Sequence, residues 1–234
     1  MSWIKREKRT PKPNWNAIRQ VNKGFFKYNV KLNLNKLRNT LRTTLIDIWE
    51  YVIPIWKISG LFKSIKTKKD LQNFIQERSA HVSQTTLYGY LKTRIGVKYI
   101  AMMEDEIFLK SINIAKWNIY VVALADCAFY VFSYLISEKN LKKNDCKEIF
   151  IHILENEKKN GLSDEIFDRG KNNFLQRLDK VNFSNYHLND PFKESGQALY
   201  YWSPIADELK SLDKKIVLNS IHLKCGLMKD EFKK

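Results

Sequence analysis

The feature that most constrains the fold is a twenty-residue stretch, residues 118–137, that carries one charged side chain. Its sequence is NIYVVALADCAFYVFSYLIS, and the charged residue is Asp126. As a membrane span, the stretch would place a carboxylate near the bilayer centre at a cost of about 2.5–3.5 kcal/mol. As the central helix of a bundle, it needs only one partner for Asp126. The second interpretation is favoured, because the chain offers no second span.

Helical patterns surround this stretch. Apolar residues recur near every 3.6 positions from Asp70 to about Gly96, which predicts a long helix there. Acidic residues at 104–106 favour a helix start before the central stretch, because negative charge suits the N-terminal end of the helix dipole. Three further helix starts are predicted from capping residues and a helix-starting proline: Asp145, Ser163 and Pro204.

The glycine and proline content supports a helical fold. The chain has 8 Gly and 5 Pro in 234 residues, fewer turn residues than a β-sandwich requires. No segment alternates convincingly as a strand. The sequence therefore predicts an all-α protein, a single globular bundle of six to eight helices with a basic N-terminal extension.

The net charge of +16 is divided unevenly along the chain. Residues 1–69 hold 17 basic and 3 acidic side chains, net +14, whereas residues 70–234 hold 24 and 22, net +2. This excludes a uniformly basic protein of the histone or ribosomal type. It predicts two parts, a basic extension at 1–69 and a helical globular domain at 70–234.

The basic extension contains two kinds of contact residue. Its first part is an arm rich in Lys and Arg, and residues 41–62 form an apolar stretch with helical spacing. That stretch fits an interfacial membrane helix or a helix packed on the main domain. The candidates for contact with an anionic membrane are Lys5, Arg6, Lys8, Arg9, Trp49 and Trp56. The same charge would also suit RNA or the ribosome.

The cysteines and the first residues of the chain indicate the cellular compartment. Cys127, Cys146 and Cys225 match no zinc pattern, and such an odd, sparse set is typical of a reducing compartment. The first residues are charged and lack the apolar core of a secretory signal. We therefore expect a cytoplasmic protein that can attach peripherally to the inner membrane.

Catalytic signals are weak. The chain has no Gly-x-Ser-x-Gly elbow of an α/β-hydrolase. His81 and Ser83 are the candidate base and nucleophile, but residues two apart on a helix do not share a face. Asp126 is the most site-like single residue, since a lone carboxylate in an apolar helix has a raised pKa unless it is paired. Structural roles are favoured for all three.

A candidate ligand segment interleaves aromatic and basic residues at Tyr88, Tyr90, Lys92 and Arg94. Such surfaces stack bases or hold small anions, although tyrosines at a core edge beside solvated basic residues give the same pattern. The expected partners of Asp126 are Arg94, Lys116 or a tyrosine hydroxyl.

Metal and cofactor signals are also weak. Glu148, His152 and Glu155 lie on one helical stripe, but their order departs from the Glu-x-x-His pairs of helical di-iron proteins. We predict neither a metal nor a cofactor.

Three stretches together resemble a protein family: residues 78–99, 112–127 and 201–224, which begin RSAHVSQTTLYGY, INIAKWNIYVV and YWSPIADELKS. The family consists of uncharacterised, all-helical alphaproteobacterial proteins, some of which carry the label "esterase". The resemblance covers roughly residues 70–225. It implies a bacterial cytoplasmic origin and ester hydrolysis, and it brings no catalytic motif.

The sequence thus favours a non-enzymatic helical protein that docks on the cytoplasmic membrane face through its basic extension. An ester hydrolase with a non-standard helical site and an RNA- or ribosome-associated protein are the alternatives. A protein partner is compatible with each of them.

Overall fold

The computed structural model describes residues 65–138 and 140–232, and within them every regular element is helical. Six helices of ten or more residues and one single-turn helix confirm the all-α prediction. In chain order they are α1 Lys68–Ile95, α2 Tyr99–Met102, α3 Glu106–Ser137, α4 Lys143–Lys159, α5 Asp164–Lys180, α6 Lys193–Trp202 and α7 Asp207–Phe232. The membrane-contact candidates and the 41–62 stretch lie outside the described residues.

Helix α3 forms the centre of the described unit. By length and composition it is the one helix in the described ranges that could cross a bilayer, with a mean hydropathy of 1.9 over its most apolar 18 residues. However, 78% of that window is buried inside the protein. Helices α1, α4, α5 and α6 all pack against α3, and α7 packs on α1 and α6. The arrangement agrees with the buried central helix that the sequence favours.

Stacked aromatic rings join three of the helices. Phe174 of α5 lies between Phe150 of α4, with ring centroids 3.7 Å apart, and Phe129 of α3, at 4.7 Å. All three side chains are fully buried. Such rings bury large apolar areas, so this stack helps to fix how α3, α4 and α5 pack.

Capping residues start several of the helices. Thr67 and Asp70 form a reciprocal capping box at α1. Asp105 accepts the backbone N–H of Phe108 at 2.8 Å at the start of α3, and Ser163 caps α5 as predicted. Gly161 ends the α4 turn with a φ of 101°, a conformation that favours glycine.

Two predicted helix starts are wrong. Helix α4 begins at Lys143, before Asp145, and the Asp145 carboxylate instead accepts a hydrogen bond from Lys68 Nζ at 2.8 Å. Pro204 is not the first residue of a helix either. It lies in a bend where Ile205 N–H bonds the Ser203 carbonyl at 2.8 Å, and α7 begins three residues later.

Candidate functional site

Asp126 lies at the middle of α3 and is fully buried. Its Oδ1 accepts a hydrogen bond from Arg177 Nη2 of α5 at 2.6 Å. Its Oδ2 accepts two more from Ser195 of α6, from the backbone N–H at 2.8 Å and from the hydroxyl at 2.6 Å. A buried carboxylate is tolerated when it is paired and hydrogen-bonded in this way.

The Asp126 carboxylate also caps α6. Phe192 precedes that helix and supplies no side-chain hydrogen bond to its first turn. Ser195 is the third helical residue, and its N–H is one of the four that have no partner within a helix. Asp126 therefore supplies, from a different helix, the acceptor that an N-cap side chain normally gives.

Arg177 extends this cluster toward the loop before α6. Its Nη2 also donates to the Tyr186 hydroxyl at 3.0 Å, and that hydroxyl donates to the Pro191 carbonyl at 2.9 Å. The guanidinium lies 4.8 Å from the centroid of the Phe129 ring. The Asp126 cluster, defined as Asp126, Arg177, Tyr186 and Ser195, thus joins α3, α5, the loop and α6.

The electrostatics of the Asp126 cluster follow from its burial. Burial raises the pKa of Asp126 above its usual range, while the Arg177 guanidinium and the Ser195 donors oppose that rise. Burial also raises the pKa of Tyr186, so the phenol keeps its proton and can donate it. Both oxygens of Asp126 are engaged by the protein itself, and the carboxylate is fully buried, so a substrate does not reach it in this structure.

Among the expected partners of Asp126, Arg94 is wrong, and the tyrosine is linked to the carboxylate only through Arg177. Arg94 of α1 does not reach Asp126; it forms an ion pair with buried Asp213 of α7. The Tyr90 hydroxyl donates to the same carboxylate at 3.0 Å. Tyr186, a tyrosine as expected, belongs to the cluster through Arg177 rather than by direct contact.

The candidate ligand segment therefore divides between two roles. Tyr90 and Arg94 meet at Asp213 and hold α1 to α7. Tyr88 is partly buried and packs against the core, whereas Lys92 is exposed. Of the four side chains, Tyr90 and Arg94 meet at one carboxylate, and that carboxylate is the protein's own Asp213.

The Ser83 hydroxyl bonds the backbone of its own helix, and no hydrogen bond joins it to His81 in the described residues. Ser83 is 2% exposed, and its hydroxyl donates to the backbone carbonyls of Ser79, at 2.8 Å, and Ala80, at 3.1 Å. Burial, together with the charges of Arg78 and Lys224, lowers the pKa of His81. The structure thus agrees with the expectation that residues two apart on a helix point in different directions.

A different Ser–His contact is present, which the sequence analysis missed. Ser133 Oγ, in α3, lies 2.8 Å from Nδ1 of His187, which belongs to the segment between α5 and α6. The same hydroxyl is 2.6 Å from the Phe183 carbonyl and accepts the His187 N–H at 3.1 Å. Ser133 is fully buried, so this contact fastens the 183–187 loop to α3 and does not present a nucleophile. The two residues are 54 apart in sequence, and no local pattern signals the contact.

A cleft of about 440 Å³ opens between α1, α3 and the end of α4. The buried Glu157 carboxylate lies in its wall and accepts hydrogen bonds from Gln76 Nε2 at 2.7 Å, Asn160 Nδ2 at 3.0 Å and the Tyr120 hydroxyl. Burial and the nearby carboxylate raise the pKa of Tyr120 well above its usual range. Because these three neutral donors come from α1, α3 and the end of α4, the Glu157 carboxylate holds the three helices together.

The metal and thiol candidates give no reactive site. No group of three or more His, Cys, Asp or Glu is arranged to hold a metal ion within residues 65–138 and 140–232. Cys127, Cys146 and Cys225 are free and buried. Burial raises the pKa of both Cys127 and Cys146 to about 12, which keeps these thiols protonated and poorly nucleophilic.

No family model matches the chain, and comparison with curated proteins and with solved structures gives no significant match. The family resemblance of residues 70–225 and the hydrolase activity that it implies therefore stay predictions.

Proposed function

We propose that the protein is a non-enzymatic helical protein that docks on the anionic cytoplasmic face of a membrane through residues 1–69. One observation carries the proposal: these residues have a net charge of +14, whereas residues 70–234 have a net charge of +2. Each Lys or Arg near an anionic lipid surface contributes about 1 kcal/mol. Trp49 and Trp56 would add apolar contact at the interface.

The ion pairs of the helical unit support this assignment of roles. Several of its cations are neutralised by its own carboxylates, as in Arg177–Asp126 at 2.6 Å, Arg78–Glu231 at 2.8 Å and Lys158–Asp164 at 2.5 Å. Its most apolar helix, α3, is mostly buried in the core. The helical unit therefore has little of the uncompensated positive charge that an anionic surface attracts, and the extension has most of it.

The site geometry supports a non-enzymatic role. Ser83 bonds its own helix backbone, Asp126 is engaged on both oxygens, and Ser133 is fully buried. A nucleophile needs a base within hydrogen-bond reach and access to a substrate, and these residues do not combine both. The ester hydrolase implied by the resemblance is the alternative.

Binding of the full chain to vesicles and to RNA tests the proposal. We expect the protein to sediment with vesicles that contain anionic lipid, to stay in solution with purely zwitterionic vesicles, and to be released as salt screens the charges. Elution of the chain from immobilised RNA at higher salt than from anionic vesicles would contradict membrane docking. That result would favour the RNA alternative.

A further inference from the structure

Helix α7 has two apolar faces, and only one of them is covered in the described structure. The covered face consists of Val217, Ile221, Cys225 and Met228, with the paired carboxylate of Asp213 at its N-terminal end. The second face consists of large aliphatic side chains that are 42–78% exposed. These residues, named here the α7 stripe, are Leu209, Leu212, Ile216, Leu223 and Leu227. A helix that needed to pack only on its own domain would carry polar residues there.

Four of the five residues of the α7 stripe follow a seven-residue repeat, and Leu227 lies one position after its last member. Leu209, Ile216 and Leu223 are seven residues apart, and the residues three positions after each of them are Leu212, Asn219 and Gly226. This alternation of three and four is the spacing of the a and d positions along a coiled-coil seam. A stripe with this repeat is complementary to a second copy of itself, and it extends about 27 Å along the helix.

Two residues within the repeat differ from the aliphatic residues around them, and the described part of the chain packs nothing against either. Asn219 is an exposed polar residue at a d position, at the centre of the aliphatic stripe. A single polar residue in a coiled-coil core, best known as Asn at an a position, sets register and oligomeric state at a cost in stability. Gly226 lies in the helix interior, where glycine is unfavourable, yet an added Cβ would meet no atom within 4 Å. A neighbouring helix on this face would give both residues a role.

We propose that the protein forms a homodimer in which the α7 stripes of two copies pair in parallel, with Asn219 facing Asn219 of the second copy. Two stripes with their flanking residues cover on the order of 1,000 Å², the size at which specific interfaces begin. The dimer is therefore of modest affinity and depends on protein concentration. The proposal rests on α7 alone and goes beyond the docking proposal, which rests on residues 1–69.

Sedimentation equilibrium of the full chain across micromolar concentrations tests the dimer. We expect the wild type to shift from monomer to dimer as concentration rises. The double variant Leu212→Lys/Ile216→Lys should weaken dimerisation at least tenfold while keeping the wild-type helical circular dichroism. The matched control is Ile107→Lys, at an exposed isoleucine of α3. It should dimerise like the wild type.

Two further variants test the register. Asn219→Leu should tighten the dimer at least tenfold, because it removes the polar layer. Asn219→Cys should give an intermolecular disulfide on mild oxidation, since paired d positions lie within disulfide reach, whereas Ile107→Cys should not. A wild type that stays monomeric throughout, or a dimer that the double lysine variant leaves intact, would overturn the proposal. Equal cross-linking at 107 and 219 would overturn the register.

Discussion

The carboxylate of Asp126 accepts both the backbone N–H and the hydroxyl of Ser195, at 2.8 Å and 2.6 Å. The two residues are 69 apart in sequence and belong to α3 and α6. This contact explains how the most apolar stretch of the chain contains a carboxylate. The charge is held by a neighbouring helix terminus and by Arg177, and it fastens the 193–202 helix to the core.

Loss of the Asp126 charge should destabilise the fold strongly. Asp126→Asn leaves Arg177, 26% exposed at its side chain, without its counter-charge and replaces an acceptor of three hydrogen bonds. We expect the free energy of unfolding to fall by about 3–5 kcal/mol in urea denaturation. The control is Asp145→Asn in the exposed pair with Lys68, which should have a far smaller effect because solvent screens that pair. Equal effects of the two substitutions would show that the Asp126 cluster is not a structural centre.

His81 should make stability depend on pH. Its pKa is lowered by burial and by Arg78 and Lys224, so the folded state binds fewer protons than the unfolded state between that lowered pKa and the usual value near 6.5. Stability should therefore fall as pH falls through this window and level off below the folded-state pKa. Urea denaturation at pH 7.5 and 5.5 should show a smaller difference for His81→Gln than for the wild type. His152→Gln, at an exposed histidine of α4, should keep the wild-type difference, and a change as large as that of His81→Gln would count against this account.

Gly170 should not tolerate a side chain. A Cβ added there would lie 2.4 Å from Cγ1 of Val121, a stiff β-branched residue of α3. Gly170→Ala should lower the free energy of unfolding by about 1–3 kcal/mol, and Val121→Ala in the same chain should recover part of that loss. Gly89→Ala provides the control, because its Cβ would meet no atom within 4 Å. It should stabilise α1 by about 0.5–1 kcal/mol. Destabilisation by both alanine substitutions would contradict the explanation of the Gly170 effect by a clash with Val121.

The ester hydrolase alternative has a direct test. Because Ser83 is buried and bonded to its own helix, we expect no turnover of p-nitrophenyl esters across several acyl chain lengths. Turnover that disappears in both Ser83→Ala and His81→Ala would contradict the non-enzymatic account. Turnover that persists in both variants and co-purifies with the chain would contradict the non-enzymatic account and exclude these two residues as its source.

Local patterns in the sequence predict much of the fold. The 3.6-residue periodicity after Asp70 and the cap at Ser163 correspond to the observed α1 and α5. The helix α6, residues 193–202, was not predicted, because its start has no side-chain cap of its own and depends on Asp126 from another helix. Pro204 was misassigned because a proline fits a bend as readily as a first helical turn.

The polar contacts were harder to predict than the helices. Asp126 is identifiable from its isolation in an apolar stretch, but its partner Arg177 lies 51 residues away and is chosen by how α3 and α5 pack. Arg94 was a reasonable candidate by charge, yet it meets Asp213, 119 residues away. Sequence spacing determines which residues share a helix face, and it does not determine which faces meet.

The most direct test of the docking account compares two variants with equal charge loss in vesicle sedimentation. One changes Lys5, Arg6, Lys8 and Arg9 to Gln in the basic extension. The other changes four exposed lysines of the helical unit to Gln: Lys98, Lys110, Lys147 and Lys180. The account predicts that the first variant binds anionic vesicles at least tenfold more weakly than the wild type, since each lost cation removes about 1 kcal/mol near the lipid, and that the second binds like the wild type. Equal weakening by both variants, or a wild type that does not bind anionic vesicles, would contradict it.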